Sequence, residues 1–339
     1  MLFDRYGGKA IVVTGALGMI GSHVVRVLAL AGYRVVPCDF AEHSNARRYL
    51  ELLELGELLD PIHLFTWLDS NASRVGGIVH LGAISDTTET NLELLDRNNV
   101  VFSMELWRRA AKFNWPFIYA SSAATYGSGD HGFVDNEDLE YLRELRPLNA
   151  YGASKNTVDL QILKDVQSGF PAPRVWAGLK FFNVYGPNED HKGDMRSIVA
   201  KIVPQILAGQ PVKLFRSHHP DYPDGGQKRD FIYVKDAVRP ILEALTRHDL
   251  SGVFNVGTGQ ASTFLDLVTH TFTALNREPD IEFIDLPEKL RGAYQYFTEA
   301  DVAKARLEGL HDVRFTLQQG VRDYVLTLVQ GMRSRSNAL

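Results

Sequence analysis

Apolar residues in the first half of the chain recur with two alternating periods. Residues 9–14, 33–38, 77–81, 115–120 and 175–182 are short, nearly continuous apolar runs with the length and side-chain character of strands buried on both faces. Between them, residues 22–31, 91–114 and 151–167 carry apolar positions at helical spacing, and Gly32 closes the first. This alternation predicts an α/β fold, a Rossmann-type doubly wound parallel sheet with helices on both faces. Ligands of such sheets bind beyond the carboxyl ends of the strands. Small and polar residues of this chain gather there, at 15–21, 82–85, 121–122 and Asn183.

The first strand runs directly into Gly15-Ala16-Leu17-Gly18-Met19-Ile20-Gly21 and a helix. Glycines at 15, 18 and 21 permit a tight turn, close approach of backbone to a pyrophosphate, and tight helix–strand packing. The helix start, with Met19 and Ile20, then offers unpaired N–H groups to the phosphates. Asp39, followed by Phe40, ends the second strand where a carboxylate accepts from ribose hydroxyls. Leu81, Gly82, Ala83 and Ser85, after the third strand, complete a dinucleotide site. The residues past 183 are turn-rich and predict a smaller, partly helical substrate domain, with the chain rejoining the first domain at 230–234 and 253–256. The expected division is 1–182 plus about 230–256 for the dinucleotide-binding domain, and about 183–229 plus 257–330 for the substrate domain.

Composition narrows the class. A formal charge of −5 and a pI near 6.1 argue against a general nucleic-acid or anionic-membrane binder. Cys38 is the one cysteine and has no internal disulfide partner, which suits a reducing compartment. The first nine residues lack the apolar core of a secretory signal, and no stretch reaches the ~20 apolar residues that span a bilayer. The expectation is a cytoplasmic protein.

Tyr151 and Lys155 lie one turn apart on the predicted helix and share a face. A phenol titrates near 10, and a neighbouring ammonium favours the phenolate, so the pair is a device for moving a proton to or from a hydroxyl. Ser122, after the fourth strand, is placed to hydrogen-bond the same oxygen. The glycine turn, the serine segment and Tyr-x-x-x-Lys, in this order, resemble the extended short-chain dehydrogenase/reductase superfamily of nucleotide-sugar enzymes over about residues 10–330. Finer matches are the run 119–127, Phe182-Asn183-Val184-Tyr185-Gly186-Pro187, His191-Lys192-Gly193, Arg229-Asp230-Phe231 and Tyr294-Gln295. With these the chain is similar to the ADP-L-glycero-D-manno-heptose 6-epimerases. That resemblance implies transient oxidation of the heptose at C6 with a tightly held NADP, in lipopolysaccharide core heptose biosynthesis. It implies Tyr151, with Lys155 and Ser122, as acid/base on one face of the sugar and Lys192 on the other. It further implies cofactor contacts at Asn98 and Val184, and substrate contacts at Ser122, Asn183, Phe215, Arg229 and Tyr294. Asp194 and Lys201 stand where the family has serine and histidine, so the first departs in charge from a diphosphate contact and the second supplies a compensating cation.

Asp39 favours NAD, whereas Arg47 and Arg48 lie where a 2′-phosphate would be met. NADP is the reading and NAD the alternative. The 217–227 loop is longer than usual in the family, and its His218-His219 pair has no matching third ligand, so no metal site is expected. The expected partner is a nucleotide-diphosphate sugar, ADP-heptose on the resemblance, bound by a homo-oligomer. Two rivals share the fold: a UDP-hexose 4-epimerase, which needs Tyr151, Lys155 and Ser122 but not Lys192, and a non-catalytic NADP-binding protein. A 4,6-dehydratase would need acids where Ala123-Ala124 stand, and a serine hydrolase would need a Gly-x-Ser-x-Gly elbow.

Overall fold

The computed structural model describes residues 6–40, 50, 53, 55–288 and 295–336; Arg47, Arg48 and Tyr294 lie outside them. Six strands form one parallel sheet: β1 (Ala10–Thr14), β2 (Val35–Cys38), β3 (Val75–His80), β4 (Phe117–Ser122), β5 (Val175–Phe181) and β6 (Leu250–Val256). Their spatial order is β2-β1-β3-β4-β5-β6, and a single parallel bridge from Cys38 to Leu59 extends the β2 edge. The winding direction reverses between β1 and β3, which opens a crevice at their carboxyl ends.

Period-two side chains feed two cores. Ile11 and Val13 of β1 enter one and Val12 the other, all at 0 % exposure. Helix α1 (Met19–Leu30) covers the first face through Val24, Val25 and Leu28. The other face is covered by α2 (Pro61–Ser70), α3 (Phe102–Phe113) and α4 (Ala150–Gln167), through Leu64, Trp107, Val158 and Ile162 among others. The helix starts follow local chemistry. Asp60 accepts the Ile62 N–H ahead of α2, with proline at the first position, and Asn149 accepts the Gly152 N–H ahead of α4. Asn114, at φ 52°, ends α3 in the left-handed region.

One expectation changes. The helix expected over 91–114 is interrupted by a π-helical stretch at Asp96–Val101, whose extra residue shifts the facing of Asn98 and Asn99. Residues 231–234 pack into the core shared with β1 and α1, while Phe231–Tyr233 pairs in parallel with Asn183–Tyr185 in a two-stranded ladder separate from the sheet. The place beside β5 is taken by β6, in register from Leu250 opposite Val175 to Val256 opposite Phe181.

The remaining chain builds a smaller layer. Val212–Phe215 pairs with Ile281–Ile284. That ladder and helices α5 (Ile198–Leu207) and α6 (Phe264–Ala274) enclose a third core of Ile202, Ile206, Val212, Leu214, Val268 and Phe272. Helix α7 (Leu317–Ser336) packs across α5 and α6. Among the described residues, no helix is long and apolar enough to cross a membrane.

Candidate active site

A cleft of about 720 Å³ opens at the carboxyl end of the sheet, at the switch between β1 and β3. Its first wall is the glycine turn. Gly15 has φ +65°, and a Cβ there would fall 2.6 Å from the Gly82 nitrogen, so β1 and β3 close on each other only because both turns lack side chains. A Cβ on Gly21 would fall 1.9 Å from the Gly15 carbonyl oxygen. Gly18 caps α1 without a side-chain hydrogen bond, which leaves the helix start facing the cleft with Met19 and Ile20. Asp39, 7 % exposed, accepts the Leu17 and Phe40 N–H groups at 2.8 Å each and ties the turn to the end of β2. The floor is Leu81, Gly82, Ala83 and Ser85. Asn98 reaches the cleft from the π-helical stretch while its amide donates to the Leu94 carbonyl at 2.8 Å. This set of small residues and N–H donors, with the Asp39 carboxylate at the end of β2, fits a dinucleotide, because the turns close to this shape only without side chains at Gly15 and Gly21.

Tyr151, Lys155 and Ser122 form the next wall. Ser122 accepts the Ala124 N–H at 3.1 Å and hydrogen-bonds Tyr151. Lys155, 3 % exposed, donates to the Ala120 carbonyl at 2.8 Å. Burial pushes its ammonium down to about 8, against the pull of Asp159 one turn further on. The half-buried Tyr151 phenol is raised, not lowered: burial dominates, the Ser122 hydrogen bond opposes it, and the Asp159 charge adds to it. Spacing sets both side chains at the same cleft, but the expected lowering by Lys155 does not enter the balance that sets the phenol, which burial dominates.

The far wall comes from the segment after β5. Val184, His191, Lys192 and Met195 face the cleft, and the Lys192 ammonium nitrogen lies 4.0 Å from the Met19 sulfur. Lys192 therefore approaches from the α1 side of the sheet, whereas Tyr151 approaches from the α4 side. Burial holds the Lys192 ammonium below its ordinary range, and Glu189 opposes that shift. The other candidate substrate residues among those described do not line this cleft. Asn183 is exposed on its short strand, Asp194 is exposed two residues past Lys192, Lys201 is half-buried on α5, and Phe215 ends the 212–215 strand. Arg229, 8 % exposed, donates to the Lys228 carbonyl at 2.8 Å and to that of Gln295. In the 217–227 loop, His219 packs against Tyr222 and Tyr296, with ring centroids 5.3 and 5.2 Å away.

Several residues that build the site carry no motif of their own. His80 is 1 % exposed and joins Thr14, at 2.7 Å, to Ser103, at 2.8 Å; burial pushes its imidazole down to about 3, so it stays neutral. Asn99, at 0 % exposure, grips both backbone groups of Ile84 and donates to Ser154, whose hydroxyl donates to the Tyr151 carbonyl. The floor of the cleft is thereby fastened to α4. Asp159, four residues past Lys155, accepts from Tyr119, Ser121 and Lys180 at 2.9, 2.6 and 2.6 Å. A polar residue inside an apolar run was the available signal for His80, and continuation of the Tyr151–Lys155 helix face was the signal for Asp159.

The arrangement suits reversible proton transfer at a carbinol next to a bound dinucleotide, and known proteins with similar chains fit that chemistry. Residues 11–257 match the model of the NAD dependent epimerase/dehydratase family. The chain is 47% identical over 322 residues to an ADP-L-glycero-D-manno-heptose-6-epimerase of Nitratidesulfovibrio vulgaris, covering 93% of this chain and 96% of that one. It is 40% identical over 324 residues to the protein of the same name from Fusobacterium nucleatum, with coverage of 93% and 96%. Among solved structures, the Helicobacter pylori ADP-L-glycero-D-manno-heptose-6-epimerase superposes with a TM-score of 0.77 at 25% identity, covering 97% of this chain and 98% of that one. MoeE5 in complex with UDP-glucuronic acid and NAD superposes with a TM-score of 0.72 at 26% identity, covering 96% and 100%. With its glycine cradle, its Ser122–Tyr151–Lys155 wall and this match over most of its length, the chain belongs to the NAD dependent epimerase/dehydratase family.

Proposed function

We propose that this protein interconverts the C6 epimers of an ADP-glycero-manno-heptose by transient oxidation at C6. The observation that carries the reading is that Lys192 and Tyr151 face one cleft from opposite sides of the sheet. A carbinol that is oxidised from one face and re-formed on the other needs a proton acceptor within reach on each side. Tyr151, with Ser122 sharing its hydroxyl, serves one face and Lys192 the other. Lys155, anchored on the Ala120 carbonyl, holds a proton-bearing nitrogen beside Tyr151. When bound, the dinucleotide supplies reversible acceptance of hydride. The similarity to two bacterial proteins named ADP-L-glycero-D-manno-heptose-6-epimerase supports the substrate class.

In this reading Gly15, Gly18, Gly21 and Asn98 hold the dinucleotide. Asn183, Asp194, Lys201, Phe215, Arg229 and Tyr294 surround the nucleotide diphosphate of the sugar, in the substrate domain outlined from the sequence. NADP is the proposed cofactor on the family resemblance. The Asp39 carboxylate at the end of β2 favours NAD as the second reading, since it would repel a 2′-phosphate. The enzyme would work as a cytoplasmic homo-oligomer.

Single-turnover cofactor reduction with each C6 epimer of an ADP-heptose tests the two-sided site. Tyr151→Phe should lose on the order of 10²–10⁴-fold with the epimer it serves, the usual worth of general acid–base catalysis. Lys192→Met should silence the other epimer and spare the first. Equal, unmodified rates with both epimers in Lys192→Met would remove Lys192 from the mechanism and favour a UDP-hexose 4-epimerase.

A further inference from the structure

Glu189 is a carboxylate at 1 % exposure, three residues before Lys192; it does not line the cleft, and among the described residues no ion pair accounts for its burial. Its partners are hydrogen-bond donors from two distant places. Ser197 donates twice, from its hydroxyl at 2.5 Å to one oxygen and from its backbone N–H at 2.8 Å to the other. Tyr324 of α7, 135 positions along the chain, donates its phenol to the first oxygen at 2.7 Å. A carboxylate taken out of water is expensive unless its oxygens are met by donors, and here three donors meet them.

The segment these contacts enclose is the one that carries Lys192. Ser197 is also the N-cap of α5, so the double bond from Ser197 fixes the loop end to that helix, and Tyr324 fixes it to α7. Inside the loop, the Lys192 N–H donates to the Glu189 carbonyl at 3.0 Å in a short turn that reverses at Gly193, φ +53°. Next to Glu189, Asn188 donates to Ser22 of α1 at 3.0 Å, which ties the same turn to the helix that begins at the glycine cradle. Asp190, His191, Gly193 and Asp194 of this loop are all open to solvent.

We infer that Glu189 is the positioning residue for Lys192: a buried clamp that holds the loop of residues 189–197 so that the lysine faces the cleft at the α1 side. The inference rests on the reading of Lys192 as the second acid/base. The Glu189 charge also favours the protonated form of Lys192, which burial alone would weaken. Glu189 touches no reacting atom, and its effect passes through Lys192.

The test uses the holoenzyme and single-turnover cofactor reduction with each C6 epimer of an ADP-heptose. Glu189→Gln keeps the shape of the side chain but loses the charge and one acceptor. It should lose on the order of 10- to 100-fold with the epimer that Lys192 serves, the scale of a misplaced catalytic group, and stay near normal with the epimer that Tyr151 serves. Tyr324→Phe, which removes the phenol that donates to Glu189, should lose less in the same half-reaction and decides the matter if Glu189→Gln does not fold. In a Lys192→Met background, Glu189→Gln should add no further loss, because the group it positions is gone. Equal losses with both epimers, or a loss that persists without Lys192, would reduce Glu189 to a fold-stabilising residue and overturn the inference. An epimer bias in Lys192→Met that is absent from both Glu189→Gln and Tyr324→Phe sinks this inference alone. No bias in Lys192→Met sinks the two-sided mechanism and this inference with it.

Discussion

Lys155 is a buried cation whose pKa in the fold, about 8, lies below the 10.5 of a solvated lysine. Between those values the unfolded chain holds the proton and the folded chain does not, so stability rises with pH across that window. Below it both states are charged, and the full penalty of burying the ammonium is present, about 3 kcal/mol by linkage. Lys155→Met removes that penalty, with loss of the hydrogen bond to Ala120 offsetting part of the gain. At pH 7 the variant should be the more stable protein in denaturant titrations and inactive in turnover. Its advantage should shrink as pH rises from 8 to 10.5, and a constant difference across the window would mean that the ammonium is not desolvated. Spacing alone made Tyr151 and Lys155 legible, because one helical turn sets two side chains on one face. The sign of the Tyr151 shift was not legible, because desolvation is a property of the packed wall around it.

The glycine turn is a case where neighbouring positions of one element carry separable demands. Gly21 faces the Gly15 carbonyl, with 1.9 Å left for a Cβ, so Gly21→Ala must displace backbone. It should cost about 1–3 kcal/mol or more in thermal unfolding, as overpacking does. Gly18 has φ −69°, which any residue adopts, and a Cβ there would meet only the Gly15 oxygen at 3.2 Å. Gly18→Val should therefore cost less stability than Gly21→Ala, still fold, and lose its dinucleotide on purification, since Gly18 lines the cleft. Stoichiometric cofactor in purified Gly18→Val would show that the cradle binds nothing there. The strand–turn–helix context was readable because it is contiguous and its hydrophobic period changes at the glycines. The π-helical stretch at Asp96–Val101 was not, since apolar spacing over 91–114 is compatible with an unbroken helix, and the extra residue is settled by Asn99 gripping Ile84.

Across the whole molecule, the Asp159–Lys180 pair shows how the catalytic wall is fastened to the sheet. Both residues are at 0 % exposure; Asp159 sits on α4, Lys180 on β5, and Ser121, which also donates to Asp159, on β4. Removing one partner leaves a buried charge uncompensated, so Asp159→Asn should cost about 3–5 kcal/mol, read from the midpoint of denaturant unfolding. Replacing both by apolar residues, Asp159→Leu with Lys180→Met, should cost less than the two single changes summed, and strict additivity would show that the charges are not coupled. What the sequence by itself determined is whatever is written within a turn or a strand: the alternation of buried strands and helices, the dinucleotide turn and the Tyr-x-x-x-Lys face. Local hydrogen bonding and hydrophobic period encode those features in contiguous residues, and the short-range motifs carried the family with them. Only the tertiary structure decided that β6 rather than residues 231–233 flanks β5, that Lys180 meets Asp159, and that Tyr324 meets Glu189. Those meetings join segments 21 to 135 residues apart, and no local period specifies which distant donor will reach a buried carboxylate. That choice follows from how the sheet orders its strands and where α7 comes to rest.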